Sequence, residues 1–167
     1  MNFQSGSIQG IVWKPLPFFN DARGWLTELF RNDDIPAEFR PVMAYVSMTN
    51  PGIARGPHEH VEQADYFCFI GPGVFRMYLW DARKDSPTYG YKEVKDVGEG
   101  ASFALIVPPG VVHAYKNISA GQGIVFNAAN ALYAGEGRKG WRGPKGSPEY
   151  VDEIRHEHIE VSPYQLD

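Results

Sequence analysis

The chain has 167 residues, of which 43% are hydrophobic and 22% charged. This length and composition predict one globular domain with its own core and argue against a disordered chain. Sixteen Lys and Arg against twenty Asp and Glu give a formal net charge of −4. The chain therefore has no overall basic field for nucleic acid or for an anionic membrane, and we expect neither as a partner. An anionic substrate must be bound by local arginines.

Cysteine content and hydropathy indicate a soluble protein. The single cysteine, Cys68, cannot form an internal disulfide, and the polar first ten residues lack the apolar core of a secretory signal. No run approaches the ~18 consecutive apolar residues that a membrane-spanning helix needs. We therefore expect a cytoplasmic location.

Glycines and prolines, 18 and 13 of them, interrupt the chain at short intervals and predict many short strands. The first helix signal is an Asx residue before Pro36, which predicts one short helix over residues 32–39. In chain order, β-branched and aromatic segments predict strands at 10–13, 43–48, 66–70, 74–80, 102–107 and 123–127. These elements favour an all-β jelly-roll or double-stranded β-helix barrel with one or two short helices.

The predicted strand 74–80 has bulky side chains at both alternating sets of positions, which is typical of a strand buried on both faces. We expect a single domain over 1–167, with an N-terminal arm to about residue 40, a barrel to about residue 130, and a C-terminal loop and tail. Within that last part, residues 135–146 are rich in Gly, Lys and Arg and predict a long loop. It is either a solvated connection or a basic flap over a ligand.

Two short motifs carry the residues best suited to chemistry. In the stretch 55–65, an extended backbone points His58 and His60 to the same face, because side chains two apart on a strand lie on one side. Further along, residues 108–117 follow the pattern PxGxxHxxxN, with His113 as its histidine. The sequence therefore offers three imidazoles to one cavity.

These motifs resemble the two signatures of the cupins, whose metal-binding members combine an HxH pair, a carboxylate and a further histidine. The resemblance implies that His58, His60, Asp65 and His113 are metal ligands, with Glu62 as the alternative carboxylate. Three imidazoles and one carboxylate suit Fe, Mn, Zn or Ni. The alternative is a polar network of histidines without a metal.

A second resemblance covers roughly residues 8–133. Residues 19–30 resemble an F-x-D-x-R-G-x-x-x-E-x-F motif, residues 47–58 an S…G-x-x-R-G-x-H motif, and residues 81–90 a D-x-R-x-x-S-P-T-[FY]-G motif. All three belong to the dTDP-4-dehydrorhamnose 3,5-epimerase family. Together with the PPGxxH turn, they identify the chain as resembling a divergent member of that family.

The family resemblance implies a homodimer of cupin barrels that binds a nucleotide-diphosphate sugar. It implies that Arg23 and Glu28 help hold the nucleotide across the subunit boundary and that Arg55 faces the diphosphate, for which a guanidinium fork is apt. Phe19 is a further predicted substrate-binding residue. A structural ion pair is the alternative for both arginines. His58 falls on the catalytic base, which removes a proton from a carbon next to the C4 ketone, and a neutral imidazole suits that task.

Two departures from the family pattern bear on the reaction. Asp65 replaces a lysine thought to stabilise the enolate, and Phe126 aligns with the tyrosine that acts as general acid. Tyr45, Tyr115 and Tyr133 are the candidates to return a hydroxyl to the cavity. Losing a positioned general acid costs ~10²–10⁴-fold in rate, so a double epimerase needs such a substitute.

The expected function is that of a nucleotide-sugar epimerase or isomerase with altered specificity. The predicted catalytic residues are His58, Asp65, His113 and Tyr115, with Asp152 as a guess for the carboxylate partner of the base. The predicted substrate-binding residues are Phe19, Arg23, Glu28, Tyr45, Arg55, His60 and Phe126. We expect no cofactor, because the epimerase motifs span more of the chain than the metal-cupin motifs. A metal-dependent cupin enzyme and a non-catalytic sugar-binding cupin are the alternatives.

Overall fold

The computed structural model of the chain describes residues 2–133, 135–136 and 164–166. The strands in these residues are β1 (Gln4–Ser5), β2 (Val12–Pro15), β3 (Phe19–Asp21), β4 (Gly24–Leu26), β5 (Met43–Thr49), β6 (Ala54–His58), β7 (Asp65–Phe69), β8 (Val74–Asp81), β9 (Tyr91–Gly98), β10 (Phe103–Val107), β11 (Val111–Asn117) and β12 (Gly123–Ala129). A 3₁₀ helix, Ala37–Phe39, accompanies them.

Ten of the strands form two five-stranded sheets, in the orders β1-β9-β8-β11-β6 and β2-β10-β7-β12-β5. The strand pairs are antiparallel, except for the short parallel pair β1-β9. Strands β3 and β4 form a separate hairpin. The all-β jelly-roll prediction is confirmed.

The barrel interior is apolar over most of its length. Ile8 and inward-facing side chains of both sheets form one buried cluster there, which consists of Ile8, Phe67, Phe69, Phe75, Met77, Leu79, Val97, Leu105, Val107, Val111, Tyr115 and Val125. Burial of this apolar surface is the main favourable term for folding. At one end of the barrel, the same strands carry polar side chains on their inner faces. These polar side chains form the candidate site.

Strand β8 is buried on both faces, as its sequence predicts. Met77 and Leu79 belong to the interior cluster, whereas Tyr78 and Trp80 lie on the outer face. The Tyr78 and Trp80 rings stack with centroids 5.8 Å apart, and the Tyr164 ring packs edge-on against Trp80 at 5.6 Å. Residues near the C-terminus therefore cover the outside of this sheet.

The predicted helix over 32–39 is longer than the helix that the structure contains. The structure forms one 3₁₀ turn, Ala37–Phe39, preceded by Pro36 in an extended conformation and without a side-chain cap. The carboxylates of Asp33 and Asp34 form ion pairs with basic side chains instead of capping the turn. Without a cap, the three-residue turn is not extended into an α-helix.

The motif at residues 81–90 builds a closed hydrogen-bond network around a buried carboxylate. Asp81 accepts hydrogen bonds from the guanidinium of Arg83 at 2.8 and 2.9 Å, from Ser86 Oγ at 2.5 Å and from Thr88 Oγ1 at 2.6 Å. Burial alone raises the pKa of Asp81, but these donors outweigh it and lower the pKa to about 2. Arg83 also donates to the Gln9 carbonyl oxygen, which ties the N-terminal segment to β8.

Two predictions fall partly or wholly outside the described residues. Asp152 and most of the predicted loop 135–146 lie there. Within the described part of the chain, no helix is long and apolar enough to cross a membrane.

Candidate active site

Strands β6 and β11 pair so that His58 lies opposite His113. The close approach depends on Gly56, whose φ is +88°. A Cβ at this position would lie only 2.6 Å from the His113 carbonyl oxygen, and a positive φ strains residues other than glycine. The glycine of the Arg-Gly-Pro-His run therefore has a structural role in bringing the two histidines together.

Three imidazoles meet at this end of the barrel. The His58 ring centroid lies 4.7 Å from that of His113 and 5.8 Å from that of His60, and the His60 and His113 centroids are 5.7 Å apart. One ring nitrogen of each histidine lies within 4.8 Å of the others. His60 and His113 are buried, whereas His58 is half-buried and is the most accessible of the three.

Asp65 is the carboxylate of this cluster and is only 2% exposed. Its Oδ2 lies 3.2 Å from His60 Nε2 and 3.3 Å from His113 Nε2. Its Oδ1 accepts hydrogen bonds from the side-chain amides of Gln63 at 3.0 Å and Asn127 at 2.9 Å. Burial by itself raises the pKa of Asp65, but the interactions with His113 and His60 outweigh it and hold the pKa well below its usual range. Asp65 is therefore an anion at neutral pH.

The tautomer of His113 follows from its backbone contact. His113 Nδ1 lies 3.1 Å from the Val111 carbonyl oxygen. A carbonyl oxygen only accepts, so Nδ1 carries a hydrogen. The other ring nitrogen, Nε2, is buried and faces Asp65 Oδ2 at 3.3 Å.

Two tyrosine hydroxyls lie on the same inner face. Tyr45 accepts a hydrogen bond of 2.7 Å from the Asn127 amide, and Tyr115 shares one of 3.0 Å with Ser47. Burial raises the pKa of Tyr45 to about 12, with a further contribution from the Asp65 charge. Burial also raises the pKa of Tyr115. Both hydroxyls therefore stay protonated at neutral pH.

Arg55 lies beside this inner face, paired in register with Tyr115. Its Nε donates to Thr49 Oγ1 at 2.9 Å and its Nη2 donates to the Met48 carbonyl oxygen at 2.8 Å. Both partners are neutral, so these contacts orient the guanidinium without compensating its charge. The alternative prediction was that Arg55 forms a structural ion pair. In the described residues, no carboxylate forms an ion pair with Arg55.

Three predicted substrate-binding residues lie away from the histidines, on the N-terminal arm. Phe19 is exposed on the β3-β4 hairpin. Arg23 is 90% exposed and pairs with Asp21, and Glu28 lies 3.6 Å from Arg31. The ion pairs of Arg23 and Glu28 in the described residues are thus to neighbours on the arm itself.

The side chain of Phe126 also does not lie at the histidine cluster. It packs against a second apolar cluster on the outer side of its sheet, together with Tyr66 and Cys68. Its neighbours Val125 and Asn127 are the inward residues, paired in register with Ser47 and Tyr45 on β5. Strand alternation allows only one of two adjacent residues to face the cavity.

Sequence reasoning missed two residues of the site, Gln63 and Asn127. Both hold Asp65 from chain segments far apart in the sequence. The period-two alternation of β12 is a signal that could have selected Asn127, because it puts the residue in phase with the core residue Val125. Of the two candidate carboxylates, Asp65 lies among the histidines, and Glu62 is exposed.

Comparison with known proteins gives a consistent result. The family model described as dTDP-4-dehydrorhamnose 3,5-epimerase matches residues 5–143. A probable low-salt glycan biosynthesis epimerase, Agl13, from Haloferax volcanii is 36% identical over 128 residues, which are 76% of this chain and 81% of the relative.

Two solved structures are similar in fold. The dTDP-4-dehydrorhamnose 3,5-epimerase from Sulfolobus tokodaii is 27% identical, with a TM-score of 0.64 over 77% of this chain and 75% of that one. The dTDP-6-deoxy-D-glucose-3,5-epimerase from Legionella pneumophila, solved in complex with dTDP-4-keto-L-rhamnose, is 21% identical, with a TM-score of 0.66 over 79% and 72%. At the lower identity, the likeness establishes the fold alone.

Proposed function

Because the chain belongs to the dTDP-4-dehydrorhamnose 3,5-epimerase family, and is thus a carbohydrate epimerase by family, we propose that its substrate is a dTDP-4-keto-6-deoxyhexose-like nucleotide sugar. The proposed reaction is proton abstraction from a carbon next to the C4 ketone, with a specificity altered relative to the family. The observation that carries this proposal is the half-buried His58 beside the buried cluster of His60, His113 and Asp65.

His58 is the proposed base. It is the most accessible of the three imidazoles, whereas the other two are buried against Asp65. A histidine has an unperturbed pKa near ~6.5, so its neutral form is abundant at neutral pH and accepts a proton readily. His58 falls on the family motif Arg-Gly-Pro-His, whose glycine sets its position opposite His113.

Tyr115 is the proposed proton donor. Its hydroxyl lies on the inner face beside Ser47, and its raised pKa keeps the proton available. The aligned Phe126 lies on the outer face of its sheet and carries no proton to donate. Tyr45, whose hydroxyl is held by Asn127, is a binding residue in this proposal.

The nucleotide half of the substrate fits the exposed arginines. The Arg55 guanidinium donates hydrogen bonds to neutral groups only, and a guanidinium fork makes paired hydrogen bonds to phosphate oxygens.

We further propose a homodimer in which the N-terminal arm binds the nucleotide of the partner subunit. The arm carries three large exposed apolar side chains on its hairpin, Phe19, Trp25 and Leu26, which is typical of an interaction surface. The cytoplasmic location stays a prediction.

The test is solvent exchange. The protein is incubated in deuterated water with a nucleotide-linked 4-keto-6-deoxy sugar, and deuterium in the sugar is followed by NMR and mass spectrometry. We expect incorporation with the wild-type protein and its loss in His58→Asn. Val61→Ala, an exposed residue of the following loop, is the matched control and should exchange normally.

A wild-type protein that binds the nucleotide sugar but incorporates no deuterium would overturn the epimerase proposal and favour a sugar-binding role. Retention of exchange in a folded His58→Asn variant would leave the family reaction in place but exclude His58 as its base.

A further inference from the structure

Asn127 is a buried amide that joins two groups of the site. It is 1% exposed, and its Nδ2 donates to the Tyr45 hydroxyl oxygen at 2.7 Å and to Asp65 Oδ1 at 2.9 Å. An amide nitrogen carries two hydrogens, so these two contacts use both. The ionised Asp65 carboxylate only accepts hydrogen bonds, which requires that the nitrogen of the amide, and not its oxygen, faces it. The orientation of the Asn127 amide is therefore fixed.

This orientation sets the direction of the Tyr45 hydroxyl. A phenol oxygen both donates and accepts, but the Asn127 nitrogen only donates, so Tyr45 is the acceptor in their contact. The hydrogen of Tyr45 is then left for another acceptor. In the part of the chain that the structure describes, the Tyr45 hydroxyl makes no second hydrogen bond. Burial raises the pKa of Tyr45 to about 12, so this hydrogen stays on the oxygen at neutral pH.

The charges around Tyr45 indicate which kind of group meets this hydrogen. Besides burial, the Asp65 charge raises the pKa of Tyr45 and the Arg55 charge lowers it, so both charges act on the hydroxyl. The Arg55 guanidinium donates to neutral groups only. A hydroxyl hydrogen and a guanidinium near each other suit an oxygen with a negative charge or a strong dipole. Phosphate and carbonyl oxygens are of this kind.

The remaining polar atom of the Asn127 amide shows that the arrangement has a cost. Asn127 Oδ1 is buried and has no hydrogen-bond partner among the described residues. An unpaired buried acceptor destabilises a fold, whereas an apolar side chain of the same size does not. The two hydrogen bonds of Nδ2 are therefore what this residue contributes, and one of them is made to Tyr45.

We propose that Asn127 is a positioning residue, which orients the Tyr45 hydroxyl as a hydrogen-bond donor to a phosphate or carbonyl oxygen of the substrate. This inference rests on the proposed function and specifies the task of Tyr45 in binding. Gln63 differs from Asn127 in one respect. It donates to the same Asp65 oxygen at 3.0 Å but forms no hydrogen bond with Tyr45 in the described residues. Gln63 is thus the matched control for a role limited to holding Asp65.

A double-mutant cycle measures whether Asn127 acts through Tyr45. Calorimetry gives the Kd of dTDP, of dTDP-glucose and of a dTDP-linked 4-keto-6-deoxyhexose, the last in a His58→Asn background to prevent turnover. We expect Tyr45→Phe and Asn127→Leu each to weaken binding about 10-fold, as for the loss of one hydrogen bond to a charged or strongly polar group. The double variant should bind no more than about 2-fold more weakly than Tyr45→Phe, whereas independent effects would multiply to about 100-fold.

The control cycle combines Tyr45→Phe with Gln63→Leu. The two effects on Kd should multiply, because Gln63 holds Asp65 without contacting the Tyr45 hydroxyl. Far-UV circular dichroism and melting temperatures confirm that each variant is folded, and Asn127→Ala is the second variant of the main cycle. Multiplying effects of Asn127 and Tyr45 would overturn the inference. Wild-type affinity of Tyr45→Phe for all three ligands, or equal coupling in the Gln63→Leu cycle, would also overturn it.

The three ligands identify the oxygen that Tyr45 contacts. If Tyr45→Phe weakens the binding of dTDP as much as that of the two sugars, the partner is a phosphate oxygen. If only the keto sugar binds more weakly, the partner is the C4 carbonyl oxygen. A loss for both sugars that dTDP does not share would point to another oxygen of the sugar and contradict the proposed class of acceptor.

This inference and the proposed function fail differently. If Asn127 and Tyr45 are coupled in binding but the wild-type protein exchanges no deuterium, the positioning role stands and the epimerase proposal fails. If the protein exchanges deuterium but the two residues act independently, the reaction stands and the positioning role is wrong. A wild-type protein that binds none of the three ligands would overturn both.

Discussion

Replacing Asp81 by Asn tests whether the motif at residues 81–90 acts through stability. Asp81 is fully buried and collects the donors of Arg83, Ser86 and Thr88, and it contacts neither the histidines nor Asp65 in the described residues. The change keeps the side-chain volume but removes the charge that these donors stabilise. We therefore expect a loss of stability in Asp81→Asn without a loss of activity per folded molecule.

The magnitude follows from the pKa. The donors lower the pKa of Asp81 from 3.8 to about 2, against the effect of burial. Since one pKa unit corresponds to ~1.36 kcal/mol, the ionised carboxylate contributes about 2 kcal/mol to the free energy of unfolding at neutral pH. Because the folded pKa is depressed, this contribution is complete above pH ~4, and it is lost as the pH falls toward ~2. At pH 3 it should be about half as large.

Urea denaturation of wild type and Asp81→Asn from pH 7 to pH 3 measures this contribution. The matched control is Asp96→Asn, which removes a carboxylate from the surface pair with Arg76. Such exposed pairs contribute ~0–1 kcal/mol, so the control should change little. A difference between wild type and Asp81→Asn that is absent at pH 7, or that stays constant down to pH 3, would refute the reasoning.

Two further predictions concern the assembly and the proton donor. Leu26→Asp puts a charge on a side chain that is 61% exposed on the arm, so it should break the proposed dimer. Light scattering should then change from twice 18.7 kDa to 18.7 kDa, and a monomeric wild type would contradict the prediction. Tyr115→Phe removes the proposed acid and should slow epimerisation ~10²–10⁴-fold, whereas Tyr45→Phe should mainly raise KM. Equal effects of the two changes on the chemical step would argue against this division of roles.

Local patterns predict the barrel strands well where apolar residues are dense. The run 74–80 matches β8 closely, and its two bulky faces correspond to two buried faces. Strand β9, Tyr91–Gly98, was missed, because two adjacent charged pairs, Lys92-Glu93 and Lys95-Asp96, interrupt its apolar pattern. Its stabilising contacts come from far along the chain, as in the Lys95 ammonium that lies 4.6 Å from the Trp13 ring centroid. A sequence window does not contain such contacts.

The site shows the same limit. The spacing of His58 and His60 predicts a shared face, and the structure brings them to His113. The partners of Asp65 depend on register instead. Asn127 faces inward because β12 pairs with β5 in one particular alignment, and a shift by one residue would have exchanged it with Phe126. Motif alignment alone does not fix that register.

The most direct test of the account is the position at which the wild-type protein introduces deuterium. A dTDP-linked 4-keto-6-deoxyhexose in deuterated water is incubated with the protein, and the sugar carbons are assigned by NMR. We expect deuterium at C3, at C5, or at both, and at no other carbon, because only these carbons adjoin the C4 ketone that stabilises the carbanion. Deuterium at a carbon remote from the ketone, or its absence from C3 and C5 under saturating substrate, would contradict the central claim.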